Sequence, residues 1–209
     1  MKKATLCYIE RDGRYLMLLR NKKSADPNEG KWIGVGGKVE PGETVRDCAA
    51  REIREETGLT ATELIPWGEV YFRSDVWEDE IMYLFLVKAF EGDLTGCDEG
   101  ELYWIEKDRL FDLNLWDGDR VFLKYLLLGV RFDRMELDYR GDRLCRCAVD
   151  GREEELIDVY REDGQPAGYV ATRDFVHWKG LWHATVHIWL KGRTPQGEPA
   201  LLIQLRAAG

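Results

Sequence analysis

The chain is short of positive charge: 30 Lys and Arg stand against 39 Asp and Glu, for a formal net charge of −9. Duplex affinity rests mainly on neutralising phosphates, so a broad surface for gripping a nucleic-acid polymer is excluded. A small anionic substrate needs only a local cation, which a metal ion can supply. Long apolar runs are absent too. The opening MKKATLCYIERDG offers about six apolar residues before charge returns, fewer than the roughly 7–15 of a secretory core. No stretch approaches the ~18 residues of a spanning helix, so no membrane partner is expected. The cysteines at 7, 48, 97, 145 and 147 are odd in number and form no C-x-x-C pair. That pattern is no disulfide framework and fits a reducing cytoplasm.

What remains is an ordinary globular composition, 44% hydrophobic and 33% charged over 209 residues, enough for one full domain plus something smaller. Residues 3–10 and 14–20 are apolar runs around Asp12-Gly13, a hairpin signal. A polar loop with Lys22 and Lys23 leads to Trp32-Ile33, a short strand running into glycines. Strands are expected at 66–73, 80–88 and 102–105, a helix at 118–128 ending at Gly129, and further strands at 131–139 and 143–149. The sum is a mixed α/β domain over 1–149. The polar stretch 150–155 (DGREEE) reads as a linker. Beyond it, 150–209 carries two strand pairs, the second being His183–Leu190 with Ala200–Arg206. Its ending Leu-Leu-Ile-Gln-Leu-Arg echoes Leu-Met-Leu-Leu-Arg of the first hairpin.

The clearest helix spans 44–57. Thr44 suits the N-cap, Asp47 the first turn and Gly58 the C-terminal stop. Val45, Cys48 and Ala49 form an apolar stripe that continues at the same spacing as Glu52, Glu55 and Glu56. Three carboxylates within about 6 Å repel one another, and a hard divalent cation removes that cost. Arg51 stands four residues before Glu55 and can pair with it. Alone, such a face is as readily a solvated acidic surface as a metal site.

The surroundings decide more. Gly36-Gly37 lets backbone approach a ligand closely, and Pro41-Gly42 is a turn that places Glu43. The string G37-x5-E43-x7-R51-E52-I53-x-E55-E56-x-G58-L59 resembles the signature of the Nudix hydrolases at every defined position, nine of them over 23 residues. The resemblance implies an α/β/α fold, a mixed β-sheet sandwiched between helices, with a small mostly β extension after it. It implies cleavage of nucleoside diphosphates linked to another moiety. Glu52, Glu55 and Glu56 would bind magnesium, or manganese in its place, with the Gly36 or Gly37 carbonyl. Glu43 would brace the loop and Arg51 the glutamates, with Glu52 the first candidate for general base as water attacks phosphorus.

Over residues 3–149 the chain is most similar to the MutT-type branch, which hydrolyses oxidised purine nucleoside triphosphates such as 8-oxo-dGTP and cleanses the nucleotide pool. GKW-x-G-x-GGK at 30–38 precedes the box as it does there. By that likeness Thr5, Arg20, Ile33, Gly36, Gly37, Lys38, Trp116 and Asp119 would contact substrate, and Glu99 would be a fourth carboxylate for the metal. Trp116 would stack on the base and Asp119 bond its edge in a way that depends on carboxyl protonation. Read without the likeness, Trp116 is equally a core residue at a helix start, and Asp119 a helix N-terminal charge. Two departures bear on selectivity: Gly118 replaces the first of an acidic pair, and Ile33 stands where an asparagine touches the base. Other readings are a different nucleoside diphosphate derivative as substrate (ADP-ribose, a dinucleotide polyphosphate) or a nucleotide sensor without turnover.

The segments EELIDVYREDGQPAG and WHATVHIWL resemble the start of another Nudix branch, the isopentenyl-diphosphate isomerase-like hydrolases. From 150 on, the chain then reads as a partial second unit without its own box. His183 and His187, four apart in an expected strand, would lie about 13 Å from each other, too far to share a metal. An unfinished sheet has open edges, and pairing with a second copy in a homodimer would cover them.

Overall fold

The computed structural model describes residues 1–22, 26–186 and 190–202. Lys23, His187 and the stretch 203–206 therefore lie outside the described residues. The chain opens with β1 (Lys2–Arg11) and β2 (Arg14–Arg20), an antiparallel hairpin closed by Asp12 and Gly13, both at positive φ. Then come β3 (Trp32–Ile33), α1 (Val45–Thr57), β4 (Thr60–Ser74), β5 (Glu80–Glu91), β6 (Gly100–Glu106) and a 3₁₀ turn (Lys107–Asp112). α2 (Asp117–Leu128), β7 (Arg134–Arg140), β8 (Arg143–Val149) and β9 (Arg152–Glu154) follow.

These strands make one mixed sheet in the order β3-β2-β1-β5-β4-β7-β8-β9, with β6 alongside β2. β1 with β5 and β4 with β7 are parallel, and the other pairs are antiparallel. Both faces are covered, which explains the unbroken burial of β1 from Ala4 to Ile9. Its side chains alternate between two cores. Cys7 and Ile9 pack with Ala49 and Ile53 of α1, while Leu6 and Tyr8 pack with Val121, Phe122 and Leu123 of α2. The α/β/α layering expected from the sequence is therefore present.

The acidic stretch 150–155 is not a linker. Asp150 and Gly151 turn at positive φ, and β9 adds to the sheet edge through Ala148–Glu153 pairing. Asp150 further caps the sheet by accepting from the Asp133 and Arg134 amides. Next, β10 (Leu156–Tyr160), β11 (Pro166–Thr172) and β12 (Trp182–His183) form a small antiparallel sheet, with α3 (Arg173–Lys179) between the last two. Val159, Val170, Ala171, Phe175 and Val176 are buried in the same core cluster as α2. This segment thus extends the α2 layer. The second expected strand pair shifts: residues 184–186 carry no regular structure, and the hairpin is β13 (Leu190–Arg193) with β14 (Pro199–Leu202). Its turn is fixed by Gly197 at positive φ and the Gly197 N–H donating to Thr194 O.

Candidate active site

α1 ends where the glycine-rich loop passes. Thr44 caps the helix by accepting from the Asp47 amide at 3.1 Å, and Gly58 closes it in the left-handed conformation. Cys48, Ala49 and Ile53 are fully buried against the sheet. That anchoring turns the next residues along the stripe toward the loop 34–38.

The contacts there are specific. The Gly36 N–H donates to Glu56 Oε2 at 2.7 Å, and Glu56 is only 7% exposed. A Cβ on Gly37 would sit 2.3 Å from Glu52 Oε1, so any side chain there would push that carboxylate from its place. Gly36 approaches β1 as closely, since a Cβ there would fall 2.0 Å from Thr5 O. Arg51 is the hub: Nε and one terminal nitrogen hold both Glu43 oxygens at 2.9 and 3.1 Å. The nitrogen that holds Glu43 also donates to the Lys38 carbonyl at 3.1 Å, and the other terminal nitrogen donates to Glu52 at 2.7 Å and Glu55 at 3.0 Å. Charge-assisted bonds of this kind are short and strong, and the fork geometry fixes orientation. Arg51 in turn keeps Glu43 below its usual carboxylate range.

A divalent ion of the magnesium type needs hard oxygen donors. Glu52, Glu55, Glu56 and the loop carbonyls are such a set: Glu52 and Glu55 share Arg51, Glu56 bonds the Gly36 amide, and Glu52 lies against Gly37. As the side chains stand, no three acidic, histidine or cysteine groups among the described residues converge on one point. Arg51 supplies the positive charge between Glu52 and Glu55.

The other expected residues are distributed differently. Thr5 is 3% exposed, gives its N–H to Gly37 O at 2.8 Å and touches Cys48 Sγ, so it lies under the loop. Lys38 is exposed beside it. Arg20 and Glu99 form an ion pair with each other, and Arg20 also holds Asp26 at 2.7 Å. Ile33 is half-buried on β3 and packs against the α1-side core.

Trp116 and Asp119 open α2. Trp116 Nε1 donates to Asn28 at 2.8 Å, the Lys31 ammonium sits 4.4 Å from its ring centroid, and Tyr139 meets it edge-on. Burial pushes the Asp119 carboxyl up to about 7, against the opposing pull of Lys31 and Arg120. Gly118 has a steric reason: a Cβ would come within 2.5 Å of Leu137 Cδ1 and 2.8 Å of the Tyr139 hydroxyl. That hydroxyl accepts from the Gly118 amide at 2.7 Å.

Sequence reasoning missed three neighbours. Lys31 covers Trp116, Asp117 accepts from the Leu144 and Val170 amides, and Tyr8 is fully buried beneath with an unpartnered hydroxyl. Tyr8 sits in an apolar run and reads as core; Asp117 gains its role only through β8 and β11. No local pattern signals either. At the far end, the His177 and His183 rings stand 5.4 Å apart.

This fold and this box define a class. The NUDIX domain model matches residues 2–126, and the chain belongs to the Nudix hydrolase family. Among curated relatives it is 32% identical over 133 residues to the oxidized purine nucleoside triphosphate hydrolase of Danio rerio, covering 63% of this chain and 83% of that protein. It is likewise 32% identical over 136 residues to the nucleoside triphosphatase NudI of Salmonella paratyphi B, covering 57% of this chain and 93% of that one. Among solved structures, a MutT protein from Bacillus halodurans aligns with a TM-score of 0.65 at 26% identity, over 72% of this chain and 98% of that one. A MutT Nudix hydrolase from Burkholderia pseudomallei aligns at 0.53 and 30% identity, over 59% and 95%.

Proposed function

We propose that the chain hydrolyses oxidised purine nucleoside triphosphates, with 8-oxo-dGTP as the type substrate, to the monophosphate and pyrophosphate in a magnesium-dependent reaction that cleanses the nucleotide pool. One observation carries this reading: the glycine loop lies directly on the α1 carboxylates, with Glu52 against Gly37 and Glu56 on the Gly36 amide. The likeness to the oxidized purine nucleoside triphosphate hydrolase of Danio rerio supports the choice of substrate.

In this reading Glu52, Glu55 and Glu56 hold magnesium, with manganese able to replace it. When bound, the ion neutralises polyphosphate charge and lowers the pKa of water. Arg51 and Glu43 fix the carboxylates, and Glu52 takes the proton from the attacking water. Lys38 and Arg20 would face the phosphates, and Glu99, which pairs with Arg20, would be a fourth carboxylate for the metal. Trp116 stacks on the base. Asp119, poised near 7, donates to or accepts from the base edge according to pH.

The second reading is a less selective nucleoside triphosphatase. It is favoured by Ile33 and Gly118, which remove two polar groups from the base end, because a pocket poor in hydrogen bonds discriminates weakly. A magnesium-dependent phosphate-release screen over 8-oxo-dGTP, the normal triphosphates, ADP-ribose and dinucleotide polyphosphates, with Glu55→Gln as control, separates these. Preference for 8-oxo-dGTP that Trp116→Ala abolishes supports the first. Equal rates on all triphosphates support the second, and turnover of ADP-ribose alone contradicts both. Tight binding without any turnover would leave a sensor.

A further inference from the structure

A second cavity, of about 590 Å³, lies beside the start of α2 and away from the glycine loop. Its walls come from the 111–115 segment, Lys31, the first turn of α2, the β7–β8 turn and β11. A volume of this size is typical of small-molecule sites. Four cations line it, Lys31, Arg120, Arg140 and Arg143, against Asp112, Asp117 and Asp142. Two of these charges are engaged outward: Asp112 with Arg109 at 2.5 Å and Arg143 with Asp158 at 2.5 Å.

The other three cations have no carboxylate within ion-pair distance among the described residues. Arg120 is 6% exposed, donates to the Phe111 carbonyl at 2.9 Å and the Leu113 carbonyl at 3.3 Å, and lies 4.2 Å over the Tyr169 ring. Its Nε has no acceptor among the described residues. Among the described residues the Lys31 ammonium donates to Asn114 Oδ1 at 3.1 Å and Leu115 O at 3.3 Å. Burying a charge without an opposite charge is costly. Asp117, Asp119 and Asp142 act on Lys31 from beyond ion-pair distance, and Asp117 and Asp119 on Arg120, but burial raises the pKa of Asp117 and Asp119 and two backbone amides use the Asp117 Oδ2. In a protein of net charge −9, this is a local surplus of positive charge around a cavity.

We propose that this cavity binds a small, multiply charged phosphate anion, gripped by Arg120, Arg140 and Lys31. A guanidinium fork matches phosphate oxygens, and three cations that hold no direct ion pair, one of them with a free Nε–H, favour a di- or trianion over a single carboxylate. The phosphate can come free, as pyrophosphate, or as the phosphate of a nucleoside monophosphate. Lys31 is shared with the Trp116 ring, so occupancy draws the ammonium from that ring and couples the cavity to the base end. The inference does not rest on the proposed function, since binding is read without metal or turnover.

The test is calorimetric titration of the full chain with pyrophosphate, and separately with AMP, in EDTA. Saturable binding is expected, weakened at least fivefold in Kd by Arg140→Ala, an exposed position whose variant should keep the wild-type Tm. Arg152→Ala, an exposed arginine outside the cavity, and Glu52→Gln on α1 should bind as the wild type does. Stronger binding of pyrophosphate identifies the free anion, and stronger binding of AMP the nucleotide. No heat up to about 10 mM of either, equal losses in Arg140→Ala and Arg152→Ala, or loss in Glu52→Gln would each overturn the proposal.

Discussion

The α1 site and the opening of α2 use the same side chain, a carboxylate, in opposite environments. On α1 the acids face a loop and an arginine, with Glu43, Glu52 and Glu55 all bonded to Arg51. On α2 Asp119 sits in the interior at 7% exposure, where desolvation outweighs Lys31 and Arg120 and lifts it to about 7. Pairing keeps an acid charged; burial drives it toward neutrality. The first arrangement suits a cation, the second a hydrogen bond that either partner can donate.

Substitutions can break that contrast, and they rank by expected effect. Glu52→Gln should lower kcat by about 10²–10⁴-fold while circular dichroism and Tm stay near wild type, the range for removing a general base. Normal turnover in that variant would remove Glu52 from the chemistry. Arg51→Ala comes next, with activity reduced about 10–100-fold through loss of the brace, the range for groups that orient ligands. Lysine at 51, lacking the fork, should restore only part of it, and full rescue would mean charge alone suffices.

Asp119→Asn tests the other side. The folded protein holds a proton that the unfolded chain releases above pH ~4, so wild-type stability falls as pH rises from there to about 7 and stays low beyond. The asparagine variant should therefore be more stable than wild type at pH 8, by on the order of 2–4 kcal/mol, with the gap closing toward pH 4. The groups facing it are Lys31, Arg120 and Asp117. Urea melts at several pH values read this, and a constant gap would refute the raised pKa. The smallest effect is expected from Gly118→Asp, which restores the family's acidic pair. Its Cβ would press on Leu137 and the Tyr139 hydroxyl, costing roughly 1–3 kcal/mol by overpacking. A gain in base selectivity without that cost would show that Gly118 is not held by packing.

The same contrast explains what could be read from the chain beforehand. The α1 site is local: residues 43–56 share one turn and one helix, so periodicity places Glu52, Glu55 and Glu56 on one stripe, and Arg51 falls beside them. The hairpin β1–β2 and α2 were legible for the same reason. The α2 site is assembled from distant pieces. Tyr139 fills the place of the missing acid, and Val170 of β11 binds Asp117. No spacing along the sequence encodes those meetings. The acidic stretch at 150–155 looked like a linker because its charge pattern is polar, yet Asp150-Gly151 turns the chain back onto the sheet.

The proposed chemistry requires the α1 carboxylates, set against the glycine loop, to hold a divalent cation. Titration with Mn²⁺ followed by electron paramagnetic resonance reads this without any substrate. Wild type should show a bound ion that Glu56→Gln loses or binds at least tenfold more weakly. Equal Mn²⁺ binding by wild type and Glu56→Gln would contradict it.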